Sequence, residues 1–361
     1  MLRLEKRPQP SQWMGLASPL LALLLTVLIG TTLFWALGVD PLRGLQMFFV
    51  EPLKTGRALS ELAVKATPLL LIALGLSICF RANVWNIGAE GQFIIGAVAA
   101  SGVALQADAS TGRWIVVVIL LAGVAGGMAW AALVAWLKDK AHANEILVSL
   151  MLVYVATMVL SFLVHGPWKD PAGFNFPQSV TFAASTQMPR LFTGLRINAG
   201  VIVALVLVLL CWLFMFRLRA GLALQVGGLA PAAARYAGFS ARRALWVALL
   251  TSGGLAGLAG ALEMIGPLGQ LTPYVPAGYG FAAIIVAFVG RLHPVGAVFS
   301  AVLMSMFYIG GELAQSRLGL PKSLTGVFQG LLLFALLACD TLIHHRLRWA
   351  HKPVTALKAS H

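Results

Sequence analysis

NVWNIGAEGQFIIGA, residues 83–97, sets two asparagines, a glutamate and a glutamine inside an apolar, glycine-rich run. A carboxylate in hydrocarbon costs at least a few kcal/mol, so Glu90 marks a face turned to protein or to a water-filled path, not to lipid. Two roles stay open for it: tying helices together, or contacting a permeating solute. Asn86 and Gln92 flank it, and either role makes the surrounding chain a membrane protein.

The composition around this stretch agrees. Of 361 residues, 59% are apolar and only 11% charged, with a mean hydropathy of +0.87, far outside the soluble range. The formal charge of +14 is spread between the apolar runs and flanks them, as membrane anchoring requires, which excludes nucleic acid as the partner. Cys79, Cys211 and Cys339 lie within apolar runs with no metal-ligand spacing and read as packing residues. The histidines fall at run ends or in loops.

Ten runs are candidates to cross a bilayer: residues 16–37, 59–80, 87–105, 114–137, 144–165, 197–216, 244–265, 278–294, 295–313 and 324–342. The expected fold is all-α, a polytopic membrane protein of about ten transmembrane helices forming one transmembrane domain over residues 1–361. The first run lacks a small-residue cleavage pattern and reads as a retained helix. The third and eighth, rich in Gly, Pro and polar residues, suit short or broken helices facing a cavity. Lys65, near the outer interface, is expected to snorkel outward. With the basic segment 1–15 inside, sixteen of the 26 Lys and Arg fall on the cytoplasmic side, and both termini are cytoplasmic.

Two runs carry ladders of small residues, Gly123, Gly127, Ala131 and Ala135 in one and Gly253, Gly257 and Ala261 in the other, which let another helix backbone approach closely. Asn144 and Glu145 open the fifth run and suit a helix cap, with a solute role as the alternative. Residues 166–196, broken by prolines and glycines, form the longest external loop. Residues 217–243 are the longest internal polar segment. Within it, residues 230–237 predict a short helix outside the bilayer, with Pro231 in its first turn and Gly238 as its stop.

No phosphate-cradling loop, HExxH pair, GxSxG elbow or Cys/His cluster appears. The chain shows no catalytic constellation and no cofactor site.

Four blocks, NVWNIGAEGQFIIGA, NEILVSLMLVYVA (144–156), APAAARYAGFSARRA (230–244) and GYGFAAIIVAFVGRLHP (278–294), occur in an order and spacing that resemble the inner-membrane permease subunits of ABC importers. The resemblance is to the nucleoside and simple-sugar group, related to ribose and branched-chain amino-acid permeases, and covers residues 59–342. The third block has Ala232 where relatives often carry an acid. The resemblance implies a non-catalytic translocation subunit of an importer in the bacterial cytoplasmic (inner) membrane. Its partners would be two cytoplasmic ATP-binding subunits, which hold ATP and Mg, a second homologous permease in a heterodimer, and an external substrate-binding protein or lipoprotein. A small-molecule solute, a nucleoside or simple sugar, would pass by alternating access. Asn86, Glu90 and Gln92 would line or buttress the pathway. Pro231, Arg235, Tyr236 and Gly238 would belong to the coupling helix that docks on the ATPase. The alternatives are a self-contained ion-coupled secondary transporter, which needs no partner, and an integral membrane enzyme.

Overall fold

Within hydrocarbon every backbone N–H and C=O must be paired inside the chain, and a helix does this without help from neighbours. The computed structural model describes residues 2–6, 12–108 and 110–349, and a helix occupies each of the ten apolar runs. In chain order these are α1 (Gln12–Ala36), α2 (Pro41–Phe49), α3 (Gly56–Arg81), α4 (Ala89–Ala104), α5 (Ile115–Ala141), α6 (Glu145–His165), α7 (Gly200–Phe216), α8 (Arg219–Leu229), α9 (Pro231–Tyr236), α10 (Ala241–Glu263), α11 (Tyr279–Val289), α12 (Pro294–Leu318) and α13 (Ser323–His344). Strands β1 (Leu2–Lys6) and β2 (His345–Trp349) pair antiparallel, Leu2 opposite Trp349. Among the described residues, seven helices are long and apolar enough to cross a membrane. The count is eight if α7 and α8, bent by 64°, are one span.

The chain divides into two compact units, residues 46–319 and residues 1–45 with 320–361. In the terminal unit α1 packs along α13. Phe34 meets Phe328 with ring centroids 5.5 Å apart, and the Ser18 hydroxyl donates to the Asp340 carboxylate.

In the larger unit, α4, α5 and α10 pack on one another at backbone contact. A methyl at Gly127 would lie 2.1 Å from the Gly253 carbonyl oxygen, and one at Gly257 2.1 Å from that of Gly123. The third helix joins the same seam: a methyl at Gly96 would stand 2.3 Å from the Gly257 Cα. The two ladders expected to admit a helix thus admit each other, and close packing replaces the hydrophobic drive that lipid cannot supply. Beside them runs α3, whose apolar stretch is 89% buried, against 28% for α5 and 22% for α6. The last two turn most of their surface outward, while α3 is enclosed by α10, α11 and α12.

Contacts at the helix ends fix a common direction. The Arg81 guanidinium donates through Nε to the Leu292 carbonyl at 2.8 Å, and Arg242 at the start of α10 pairs with Asp139 at the end of α5 at 2.8 Å. At the opposite end Arg196 pairs with Glu61 at 3.2 Å and Arg317 with Glu51 at 3.5 Å. Helix α3 runs from Arg57, near its start at the second end, to Arg81 at the first, and the two are the Arg57 end and the Arg81 end. Against this frame α4, with 16 residues, and α11, with 11, are short. At 1.5 Å per residue they extend about 24 Å and about 16 Å, less than the roughly 30 Å of hydrocarbon.

Three elements depart from the expectations. The polar stretch after the first run contains α2, whose Leu45, Phe48 and Phe49 recur at helical spacing, a pattern hidden by its brevity. Helix α12 continues five residues past the expected end at 313, because Ala314, Gln315 and Arg317 are good helix formers where hydropathy already falls. The internal polar segment holds two helices, α8 and α9, where one was expected; Ala230 separates them.

Candidate functional site

Glu90 stands in the first turn of α4, and its carboxylate reaches the start of α11. One oxygen accepts the Gly278 N–H at 2.9 Å and the other accepts the Gly280 N–H. Free amides at a helix start are ordinarily capped from the preceding residue. Here a different helix supplies the cap, and the anion sits at the positive ends of both α4 and α11. The approach depends on Gly280, where a Cβ would lie 2.3 Å from the Glu90 nitrogen. Gly278, at φ +78°, turns the chain into the helix through the left-handed region.

The depth of this contact follows from the helix lengths. The chain past the far end of α11 meets Arg81 through Leu292, so the α11 start lies about 16 Å inside from the Arg81 end, near mid-membrane. Residues 82–88 carry the chain inward without a helix, and α4 then continues to the Arg57 end. Two part-length helices therefore start beside one carboxylate. Such paired half-helices line the solute path in many transporters.

Asn86 and Gln92 exchange amide hydrogen bonds of 2.9 and 3.0 Å, and Asn86 also donates to the Ser252 hydroxyl on α10 at 3.0 Å. All three side chains are buried. Their amides are satisfied by one another, so they fasten the 82–88 segment to α4 and α10. Asn144 caps α6, its Oδ1 accepting the Ile146 N–H at 2.9 Å, and Glu145 pairs with Lys138 on α5. These two residues stand apart from the Glu90 contact and join the Arg81 ends of α5 and α6.

The six residues of α9 form a projecting turn. Pro231 holds its first helical position, Ala234 is buried, and Gly238 ends it at φ +76°. Arg235 is exposed and Tyr236 is 96% exposed, so the helix presents a cation and an aromatic ring with nothing covering them. A cavity of ≈ 280 Å³, lined by Ala220, Leu224, Phe239, Ser240 and Arg243, opens beside it.

Two clusters were not singled out in the sequence. At the Arg57 end the Lys65 ammonium meets Glu312 of α12 at 2.6 Å and lies over the Tyr308 ring, 6.0 Å from its centroid. The Tyr308 hydroxyl donates to the Ala277 carbonyl at 3.2 Å, and its ring meets Tyr279 edge-on at 5.3 Å. At the Arg81 end Phe80 stacks on Phe288 at 5.1 Å, with Trp85 on both at 5.3 and 6.4 Å. Lys65 and Glu312 are 247 positions apart, and no spacing rule links them. A charge of each sign at similar depth in two apolar runs was the available signal.

Known proteins share this sequence over most of its length. The chain is 32% identical to a glucose ABC transporter permease protein of Haloferax volcanii, covering 96% of this chain and 93% of the relative. It is 27% identical to a guanosine ABC transporter permease protein of Bacillus subtilis, over 86% and 89%. A nucleoside ABC transporter permease protein of Lactococcus lactis subsp. cremoris is 24% identical, over 88% and 89%. No solved structure matches the chain. The family described as branched-chain amino acid transport system / permease component matches residues 58–337. Ten apolar helices, two of them part-length, and a match over most of the sequence lead to one conclusion: the chain belongs to that family and is a permease subunit of the ABC importer type.

Proposed function

We propose that this permease carries a nucleoside or a simple sugar inward, driven by ATP hydrolysis on two cytoplasmic subunits that dock on α9. The observation that carries the reading is the projection of Arg235 and Tyr236 from the Arg81 end, on a six-residue helix that opens at Pro231 and is stopped by Gly238. A cation and an amphipathic ring, both uncovered, are side chains that anchor interfaces. In this reading the Arg81 end faces the cytoplasm, both termini lie on that side, and the membrane is the bacterial cytoplasmic one. ATP and Mg are held by the partner subunits, and no catalysis resides here.

The remaining parts complete this reading. Asn86, Glu90 and Gln92 buttress the path by holding α4, α10 and the α11 start as one body, and Asn144 and Glu145 support the α5–α6 corner behind it. A second, similar permease completes the path, and an external binding protein or lipoprotein delivers solute. The glucose and nucleoside permeases among the relatives support the solute class. Movement between outward- and inward-open states is a population shift imposed by nucleotide binding on the partners.

Replacing Arg235 and Tyr236 together with alanine tests this. The variant is expected to reach the membrane folded but to lose co-purification with the ATP-binding subunits and lose uptake. Normal co-purification and uptake would contradict the assignment.

A further inference from the structure

An ion pair inside a membrane-spanning helix, with one partner open to the surroundings, calls for an explanation. Lys65 lies 16 positions before Arg81 on α3, and Glu312 lies 18 positions past Pro294 on α12. At helical rise these are about 24 and about 27 Å from the Arg81 end, within the apolar thickness. Glu312 is nevertheless 57% exposed at its side chain, and Lys65 24%. So close to the Arg57 end, exposed charges persist where water reaches them, so this face meets water or solute.

What lies beside the pair gives the face a direction. Tyr308 supplies a ring wall under the Lys65 ammonium, and its hydroxyl holds Ala277 just before the start of α11. From there α11 leaves one side open, with Phe281, Ile284 and Phe288 only partly covered at helical spacing, and Phe288 leads to the Phe80 and Trp85 stack at the Arg81 end. The partly covered residues of α11 thus lie between a polar cluster at the Arg57 end and an aromatic cluster at the Arg81 end.

Resting on the permease reading above, we propose that Lys65, Tyr308 and Glu312 are the solute-recognition site of this path, and that it reads two neighbouring hydroxyls on a sugar ring. The pair supplies three N–H donors and a carboxylate acceptor at one place. When it parts, the ammonium donates to one hydroxyl oxygen while the carboxylate accepts from the other hydroxyl, and the Tyr308 ring takes the apolar face of the sugar. The two charges cancel, which favours a neutral solute over an ion. When solute leaves, Lys65 and Glu312 return to each other, so neither is stranded and binding stays weak enough for release. Hexoses and the ribose of a nucleoside share this pair of hydroxyls; a branched-chain amino acid has none.

The test uses the intact assembly, with its second permease and ATP-binding subunits, in proteoliposomes. Labelled glucose and labelled inosine are the probes, with unlabelled inosine and 2′,3′-dideoxyinosine as competitors. For wild type, uptake of one of the two probes is expected, and a competitor bearing both hydroxyls is expected to act at least tenfold more strongly than one lacking them. Glu312→Gln and Lys65→Met are expected to raise KM tenfold or more and bring the competitor ratio close to one, with unchanged co-purification of the ATP-binding subunits. If Lys65→Met does not assemble, Glu312→Cys decides the matter: an impermeant thiol reagent should label it, and the transported probe should slow labelling at least threefold. Unmoved KM and competitor ratio, unslowed labelling, or uptake restricted to solutes without adjacent hydroxyls would each overturn this site while leaving the permease reading intact. Absence of ATP-driven uptake of any solute would overturn the permease reading, and this site with it.

Discussion

The carboxylate of Glu90 accepts the backbone N–H of Gly280, and the Gly280 Cα lies so close to Glu90 that a Cβ there would stand 2.3 Å from the Glu90 nitrogen. Each residue requires the other: the glycine allows the approach, and the carboxylate satisfies the amides that the approach brings into the protein interior. Gly280→Ala is therefore expected to destabilise the protein by about 1–3 kcal/mol, the usual cost of forcing a methyl into packed backbone. Glu90→Ala leaves the buried Gly280 amide and the half-buried Gly278 amide without an acceptor and should cost roughly 1–3 kcal/mol for the first and less for the second. Glu90→Gln, which keeps one acceptor oxygen, should fall between wild type and the alanine variant. Thermal unfolding of the detergent-solubilised protein measures all three.

The seam between α5 and α10 gives a second expectation. Gly257 faces the Gly123 carbonyl and the Gly127 backbone, with a methyl at its Cα coming 2.1 Å from the former. Gly257→Leu should separate the two helices, lower the yield of folded protein in membranes, and shift unfolding by more than Gly326→Leu on α13, where nothing lies within 4 Å. Equal behaviour of the two variants would show that the seam is not close-packed.

Asn86 and Gln92 act as one unit with Ser252. Asn86→Ala is expected to cost about 1–3 kcal/mol, because it strands the buried Gln92 amide. The double variant Asn86→Leu with Gln92→Leu should be less destabilised than the sum of the two single changes, since both partners are then apolar. A double-mutant cycle on the unfolding midpoint reads this coupling.

A pH dependence is expected at the start of α12, outside the span. The His293 imidazole accepts the Val295 N–H through Nδ1 at 3.2 Å, which requires the neutral ring. Burial first, and the neighbouring Arg81 cation second, hold its pKa below the ordinary 6.5. A lowered pKa means that the native state favours the neutral form. The stabilisation is therefore fully present above pH 6.5 and is lost as pH falls through the native value. The difference in midpoint between wild type and His293→Ala should be largest at pH 8 and shrink below pH 6. The cap is worth about 1 kcal/mol at most at this partly exposed site.

Much of this architecture is readable from residue order. Hydropathy locates each of the ten helices because a bilayer imposes length and apolarity on any span, and the ladders at Gly123, Gly127, Gly253 and Gly257 name the tightest contact before it is seen. The glycine and polar content around Glu90 and Gly278 likewise marks the two short helices. What stays hidden is pairing across distance. Glu90 and Gly280 are 190 positions apart, and a backbone amide has no signature in sequence. Lys65 reads as a snorkelling cation until Glu312 is placed beside it. Helices α2 and α8 are short and part polar, so neither spanning length nor a long apolar period exposes them.

Transport energy comes, in this reading, from partner subunits, and reconstitution tests that directly. Proteoliposomes containing the complete assembly should accumulate labelled glucose or inosine only when ATP reaches the nucleotide-binding subunits, and vesicles holding this chain alone should show none under a proton or sodium gradient. Gradient-driven accumulation by the lone chain would contradict the account.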